Sequence, residues 1–320
     1  MTQSEEKDAL RLLRFNWLVI GGLAATLAVA MLATGFSLKF WSALSAGGTA
    51  AVYLAAAFYN SRRGAKRDPL VIFALGSTGQ VLLIAVLIGP MTYVAASANL
   101  PLQDAALAAI DRAMGWDWRT QFGFMTHHDT LMSAALAAYS MITWPGFGIP
   151  VALSFGKKYR RLQEFTLALA LSLIVTIAIS TLVPAYGVYD AKILTGDDAV
   201  FQSPAYLSHL HDFPAIRDGS LRVLDLMHLS GIVTFPSFHA TSAIIFLWAM
   251  WSVWWMRPIA AVTMGAMLLA TPMVGGHYLI DIFAGIAVGI GAIAAARWAS
   301  RRVLAQTAPV FAALETSPRT

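Results

Sequence analysis

Two short stretches hold the residues best suited to chemistry: Thr234-Phe235-Pro236-Ser237-Phe238-His239 and Gly275-Gly276-His277-Tyr278-Leu279-Ile280-Asp281. Both adjoin long apolar runs, and ionisable groups at membrane depth are costly enough to mark function by default. His277 and Asp281 are four apart, which on a helix puts them on one face and in contact. A carboxylate accepting a proton from one imidazole nitrogen fixes the tautomer and leaves the other as a nucleophile or base. Pro236 suits a first helical turn, and Thr234 or Ser237 can cap it. Gly275-Gly276 lets backbone or ligand come close just ahead of the second helix. Exposed N–H groups at two helix N-termini on one face make an anion site. Two histidines, one oriented by an acid, around such a site point to phosphoryl transfer through a phosphohistidine. That route needs no metal and no cofactor.

The elements that must position these groups are membrane helices. The chain has 320 residues, of which 58% are hydrophobic and only 12% charged. Several apolar runs approach or exceed the ~18 residues of a membrane span. Eight spans are expected near Phe15–Phe36, Phe40–Tyr59, Leu70–Val94, Leu131–Phe155, Phe165–Val183, Phe238–Met256, Ile259–Val274 and Tyr278–Ala296. The fold class is therefore an all-α polytopic bundle. His239 and His277 are 38 residues apart, room for one crossing out and one back, so both belong at the same membrane face.

Charge sets the orientation. With the N-terminus inside, every Lys and Arg except Lys39, Arg112, Arg119, Lys192, Arg217 and Arg222 falls on the inner side, as the positive-inside rule requires. The net charge of +5 is thus explained without a nucleic-acid partner. Both termini are expected in the cytoplasm, the histidines at the outer, periplasmic face, and the protein in a bacterial inner membrane. Glu5, Glu6 and Asp8 ahead of a long apolar run argue against a cleavable signal. With no cysteine, disulfide and thiolate chemistry are excluded.

Two outer segments are long. Residues 99–129 carry Trp116 and Trp118 in a helical pattern, read as an interfacial helix with both rings at headgroup depth. The second runs from Pro184 to Val233, a length usual for functional or disordered loops. Its histidines, 209, 211 and 228, read as ordinary loop residues.

Pro236-Ser237-Phe238-His239 resembles the second signature of the type 2 phosphatidic acid phosphatase superfamily. His277-Tyr278-Leu279-Ile280-Asp281 resembles the end of its third. The His-Tyr-x-x-Asp form is most similar to the branch containing fungal inositol phosphorylceramide synthase. The resemblance implies a six-span catalytic core over residues 70–305, an added N-terminal hairpin over 1–69 and a tail over 306–320. It implies His277 as nucleophile on phosphorus, Asp281 as its orienting partner, His239 as the acid for the leaving group and Ser237 as a phosphate contact. The substrate would be a membrane lipid phosphate or phosphodiester, and the acceptor water or a hydroxyl, making the enzyme a phosphatase or an inositolphosphotransferase-like head-group transferase.

The chain also departs from that pattern. The first signature is absent, and Thr271 stands where an Arg often precedes the third-signature His. A transferring phosphoryl group needs cationic stabilisation. Arg217 and Arg222 of the outer loop, and then Lys192, are the expected substitutes. Two rivals stand beside this reading. A transporter or proton relay would string polar groups through the membrane, whereas here they gather on one side. A zinc hydrolase using His239, His277 and Asp281 would be sensitive to chelators.

Overall fold

A 13-residue helix, Phe238–Met250 (α10), and a 27-residue helix, Leu279–Ala305 (α12), carry the two motifs, and the rest of the bundle holds them together. The computed structural model describes residues 3–188 and 204–306. In chain order the other elements are α1 (Gln3–Thr34), β1 (Ser37–Leu38), α2 (Phe40–Ser61), α3 (Pro69–Ala96), α4 (Asp104–Ala113), α5 (Trp118–Thr126), α6 (Asp129–Tyr139), α7 (Pro145–Phe155), α8 (Tyr159–Leu182), α9 (Pro204–Arg217), β2 (Val223–Leu224) and α11 (Arg257–Val274).

The protein is an all-helical polytopic bundle. Among the described residues six helical segments are long and apolar enough to cross a membrane: α1, α2, α3, α8, Trp254–Val274 and α12. A seventh crossing is broken. Asp129–Ile142 and Pro145–Phe155 meet at 61°, where Pro145 lacks the N–H that would continue the ladder. The eight expected spans thus reduce to six helices, a bent pair and the short α10. At 1.5 Å per residue α10 extends only about 20 Å, short of a ~30 Å hydrocarbon core. The chain leaves it through a turn and a single 3₁₀ turn, Trp254–Met256, before α11 starts at Arg257 with Pro258 in its first turn.

The apolar core lies where α3, α7, α8, α10 and α12 meet, with Phe73, Leu153, Leu162, Phe165 and Ile245 fully or almost fully enclosed. The first helix belongs to this core. Asn16 donates from Nδ2 to the Gln163 Oε1 and carbonyl, both at 3.1 Å, and Gln163 donates to Ser77 Oγ at 2.9 Å. A buried amide chain of this kind fixes the register of α1 against α8 and α3, because slipping it would strand polar groups in hydrocarbon.

The bundle has two chemically distinct ends. At one, Ser37 N–H donates to the Arg222 carbonyl, Gln103 N–H to Pro184 O and Val188 N–H to Gly276 O. The loops after α1, α3, α8 and α11 therefore meet at a single end. The pairing of β1 with β2 is parallel and two residues long. At the other end lie Arg67 with Glu6 at 2.7 Å, and Arg160, Arg161, Arg297 and Arg301 together.

The segment with Trp116 and Trp118 differs from expectation. It forms two helices, α4 and α5, and Trp118 is buried, stacked on Phe122 at 4.6 Å. Its cluster includes Leu107, Met125, Val274 and Tyr278. Packing against the α11–α12 turn gives Trp118 more buried area than a headgroup position would.

Candidate active site

Glycine allows the two motif helices to touch. A Cβ at Gly285 of α12 would run into the Ser237 carbonyl, so any other residue would hold α10 away. At this contact Thr241 Oγ1 donates to the Gly285 carbonyl at 2.8 Å and Ser237 N–H donates to the Asp281 carbonyl at 3.0 Å. The start of α10 is thereby fixed to the first turn of α12.

Ser237 is the N-cap of α10 and accepts from Ala240 N–H at 3.4 Å. Pro236 lies outside the helix, following a cis Phe235–Pro236 bond. Thr234 does not cap; its hydroxyl meets His209 Nε2 at 3.1 Å. Among the described residues the Phe238 and His239 amides have no acceptor, and both residues border a cavity of about 620 Å³.

His277 and Asp281 meet as their spacing predicts, by a different local structure. His277 lies before α12 rather than on it, since Tyr278 is the N-cap. Asp281 is the third helical residue and turns back, taking Tyr278 N–H at 2.9 Å and facing His277 Nδ1 at 3.3 Å on the same oxygen. This is the capping-box geometry with a carboxylate in the returning position, and it adds the imidazole as a second partner. His277 Nε2 then points at Ser237 Oγ, 3.3 Å away. A proton on Nδ1 makes Nε2 the free lone pair, and the hydroxyl can donate to it. His277 and Asp281 are both buried.

His239 sits across from His277 with ring centroids 6.4 Å apart. Its plane is fixed by Tyr139, stacked at 3.8 Å and 14°. Tyr139 reaches there because the α6–α7 break turns the chain at its side. Gly275 leaves room for it: a Cβ there would come within 2.7 Å of the Tyr139 ring and 2.9 Å of His277.

A second layer of contacts holds the His277 segment from outside. Asp111 of α4 accepts from the Leu279 and Ile280 amides at 2.7 and 3.0 Å. Asp104 accepts from the Tyr278 hydroxyl at 3.0 Å and from the Tyr186 and Gly187 amides at 3.0 and 2.8 Å. Burial pushes the Asp111 carboxyl above its ordinary value, with the two amides pulling it back. The free amides of α12 are therefore already taken by a carboxylate. The expected pair of anion-binding helix ends reduces to one, that of α10.

The cavity has a polar end formed by His209, His239 and His277 and walls of Ile88, Leu136, Ile142, Leu173, Ile177 and Val233. Ser237, His239, His277 and Asp281 are thus brought together. Arg217 and Arg222 are not brought to this cavity. Arg217 donates to the Leu100 carbonyl at 2.9 Å and lies 5.4 Å from the Phe213 ring. Arg222 donates to the Ile216 and Leu221 carbonyls and lies 4.6 Å from the Phe36 ring. Both guanidinium groups serve the fold of their own loop and its seat on the hairpin. Lys192 lies outside the described residues. Sequence reasoning missed Asp104, Asp111, Tyr139 and the cavity position of His209. The one local signal was the polar-aromatic Tyr139 just ahead of a Pro-Gly break. Among the described residues no group of three or more His, Asp and Glu is placed to hold a metal ion.

The model of the PAP2 superfamily matches residues 105–295, which is more than half of the chain, and the protein belongs to that superfamily. No curated protein and no solved structure gives a match. Membership implies a phosphatase- or transferase-type enzyme acting on phosphorylated, lipid substrates.

Proposed function

We propose that the protein transfers a phosphoryl group from a membrane lipid phosphate or phosphodiester through a covalent intermediate on His277. The supporting observation is the facing pair of imidazoles, one held by Asp281 and one by Tyr139, at the polar end of an apolar-walled cavity. In this reading Nε2 of His277 attacks phosphorus while the bond to the leaving oxygen breaks and that oxygen takes a proton from His239. An acceptor hydroxyl then gives its proton to His239 and attacks the phosphohistidine, releasing His277. Ser237 and the α10 amides hold the phosphoryl oxygens, where charge develops. His209 is the further polar group at that end.

The acceptor in this proposal is a lipid or polyol hydroxyl, which makes the enzyme a head-group transferase like inositol phosphorylceramide synthase; hydrolysis is the second reading. The basis is the His-Tyr-x-x-Asp form of the motif. Tyr278 bonds Asp104 and does not line the cavity, so its contribution is to position His277. The positive-inside distribution supports a periplasmic site in a bacterial inner membrane, with both termini cytoplasmic.

The test is single-turnover reaction of purified protein with a ³²P-labelled lipid phosphate, followed by acid and alkaline quench. An acid-labile, alkali-stable label on wild type that is missing from His277→Ala is expected. Activity should survive EDTA and fall with vanadate. Loss on chelation with recovery on zinc, or an unlabelled wild-type protein that still turns over, overturns the mechanism. Product analysis with water or inositol as acceptor separates hydrolase from transferase.

A further inference from the structure

Away from the histidines, the opposite end of the bundle holds an open cleft, in which Arg297 and Arg301 are exposed. Arg161, Arg297 and Arg301, together with the Arg160–Glu164 pair, wall a space of about 370 Å³. Among the described residues, Arg161, Arg297 and Arg301 have no carboxylate within ion-pair distance. Arg161 lies 4.0 Å over the Trp248 ring, and its Nη1 is buried with no hydrogen-bond partner among the described residues. A further cavity of about 710 Å³ shares Arg161 and Arg297 and continues along Leu247, Trp248, Ile290 and Ile293. Neither shares a residue with the histidine cavity. Arg297 is 20 residues beyond His277, about 30 Å along a helix, which is the depth of the hydrocarbon core.

The positive-inside rule accounts for basic residues at one interface. It does not account for four arginines from two helices around one cavity whose single carboxylate, Glu164, is already paired with Arg160, nor for a buried bare N–H. Arg160 and Arg161 also stand in the first turn of α8, where the helix dipole disfavours a cation. An anion in this cavity would satisfy all three. The forked guanidinium suits a phosphate, and the apolar extension suits an acyl chain. Basic pockets between helices recognise anionic lipid headgroups in this way.

We infer that this cleft binds one anionic phospholipid of the adjoining leaflet. Its phosphate sits among Arg161, Arg297 and Arg301 and one chain lies along Leu247, Ile290 and Ile293. The lipid clamps α8, α10 and α12 at the end remote from the chemistry. This inference is independent of the reaction proposed above.

The test is native mass spectrometry of delipidated full-length protein titrated with phosphatidylglycerol or chain-matched phosphatidylcholine. Wild type should hold one phosphatidylglycerol at least tenfold more tightly than phosphatidylcholine, and less tightly as salt rises. Arg297→Gln with Arg301→Gln should weaken phosphatidylglycerol roughly fivefold per charge removed, leaving phosphatidylcholine unchanged. Replacing the same two by Lys should restore part of the loss. Equal binding of the two lipids by wild type overturns the proposal without any variant. So does unchanged phosphatidylglycerol affinity in the double Gln protein. Displacement by millimolar inorganic phosphate would make this a soluble-anion site and overturn the lipid assignment.

Discussion

The first turns of α10 and α12 lie against each other at the same end of the bundle, yet they present opposite electrostatics. At α10 the Phe238 and His239 amides have no acceptor among the described residues and border the cavity. At α12 the Leu279 and Ile280 amides are held by Asp111, and Asp281 turns back on Tyr278. A helix start is an anion site only while its amides are free. Asp111 occupies the place a phosphate would take at α12, so that end is a mount, and what it mounts is His277. On the proposed reaction, the α10 end is the one left for the substrate.

Removing what α12 mounts should give the largest effect. His277→Ala is expected to lower turnover at least 10³-fold with the protein still folded, as loss of a nucleophile does. His239→Ala should approach this for substrates with poor leaving groups, and less so where the leaving group needs no proton. Rates within tenfold of wild type for purified His277→Ala would end the assignment.

Asp281→Asn comes next, at about 10³-fold, because an amide can present a donor to Nδ1 and leave the proton on Nε2. Binding of substrate should change little, so the loss belongs in kcat. An equal fall in kcat and rise in KM would instead mark Asp281 as part of the substrate pocket.

Asp111 tests the mount itself. Asp111→Ala frees two amides and should cost about 1–2 kcal/mol of stability, the scale of a lost helix cap, with kcat down roughly tenfold and KM unchanged. Asp111→Asn keeps one acceptor and should recover most of the rate. Burial raises the Asp111 carboxyl, so the folded state binds that proton more tightly than the unfolded chain does. Its ionisation therefore subtracts stability as pH rises from the ordinary carboxylate value through the raised one. The Asn variant, which does not titrate, should gain in Tm relative to wild type as pH increases over that window. A flat difference from pH 4 to 7 would show that Asp111 does not carry this penalty.

Much of the architecture was legible because a membrane writes its demands in composition. Apolar runs gave the helices, and the basic residues separated the two ends. The Ser237–His239 and His277–Asp281 motifs picked out groups that meet in the fold, and the four-residue spacing found the His277–Asp281 contact even though His277 precedes the helix. Unreadable features depended on long-range packing. Asp111 meets α12 across 168 positions, and nothing local distinguishes it from a solvated Asp beside Arg112. Tyr139 reaches His239 only because of the α6–α7 bend. Trp118 looked like an interfacial anchor because its burial depends on α11. The short α10 read as a full span because the apolar run continues through the turn that ends it.

The smallest effect tests the charge missing from the α10 end. Sequence alone assigned it to Arg217 and Arg222, whose guanidinium groups are instead bonded to Leu100, Ile216 and Leu221 carbonyls. His209 is buried at the cavity's polar end, held by Thr234 and lying near the Phe213 and Tyr186 rings. On the proposed reaction a group there would meet the phosphate directly, whereas the arginines would act only through the loop. His209→Ala should therefore lower turnover by about tenfold or more, towards the loss seen when one transition-state donor is removed. Arg217→Ala and Arg222→Ala should each stay within about threefold in kcat and lose about 1 kcal/mol of stability through their carbonyl contacts. Single-turnover transfer with the three proteins, beside their thermal unfolding, decides between the two assignments. A tenfold or greater fall in both arginine variants, with His209→Ala at wild-type rate, would return the phosphate contact to the loop arginines. It would also require α9 and its following strand to close over α10 when substrate binds.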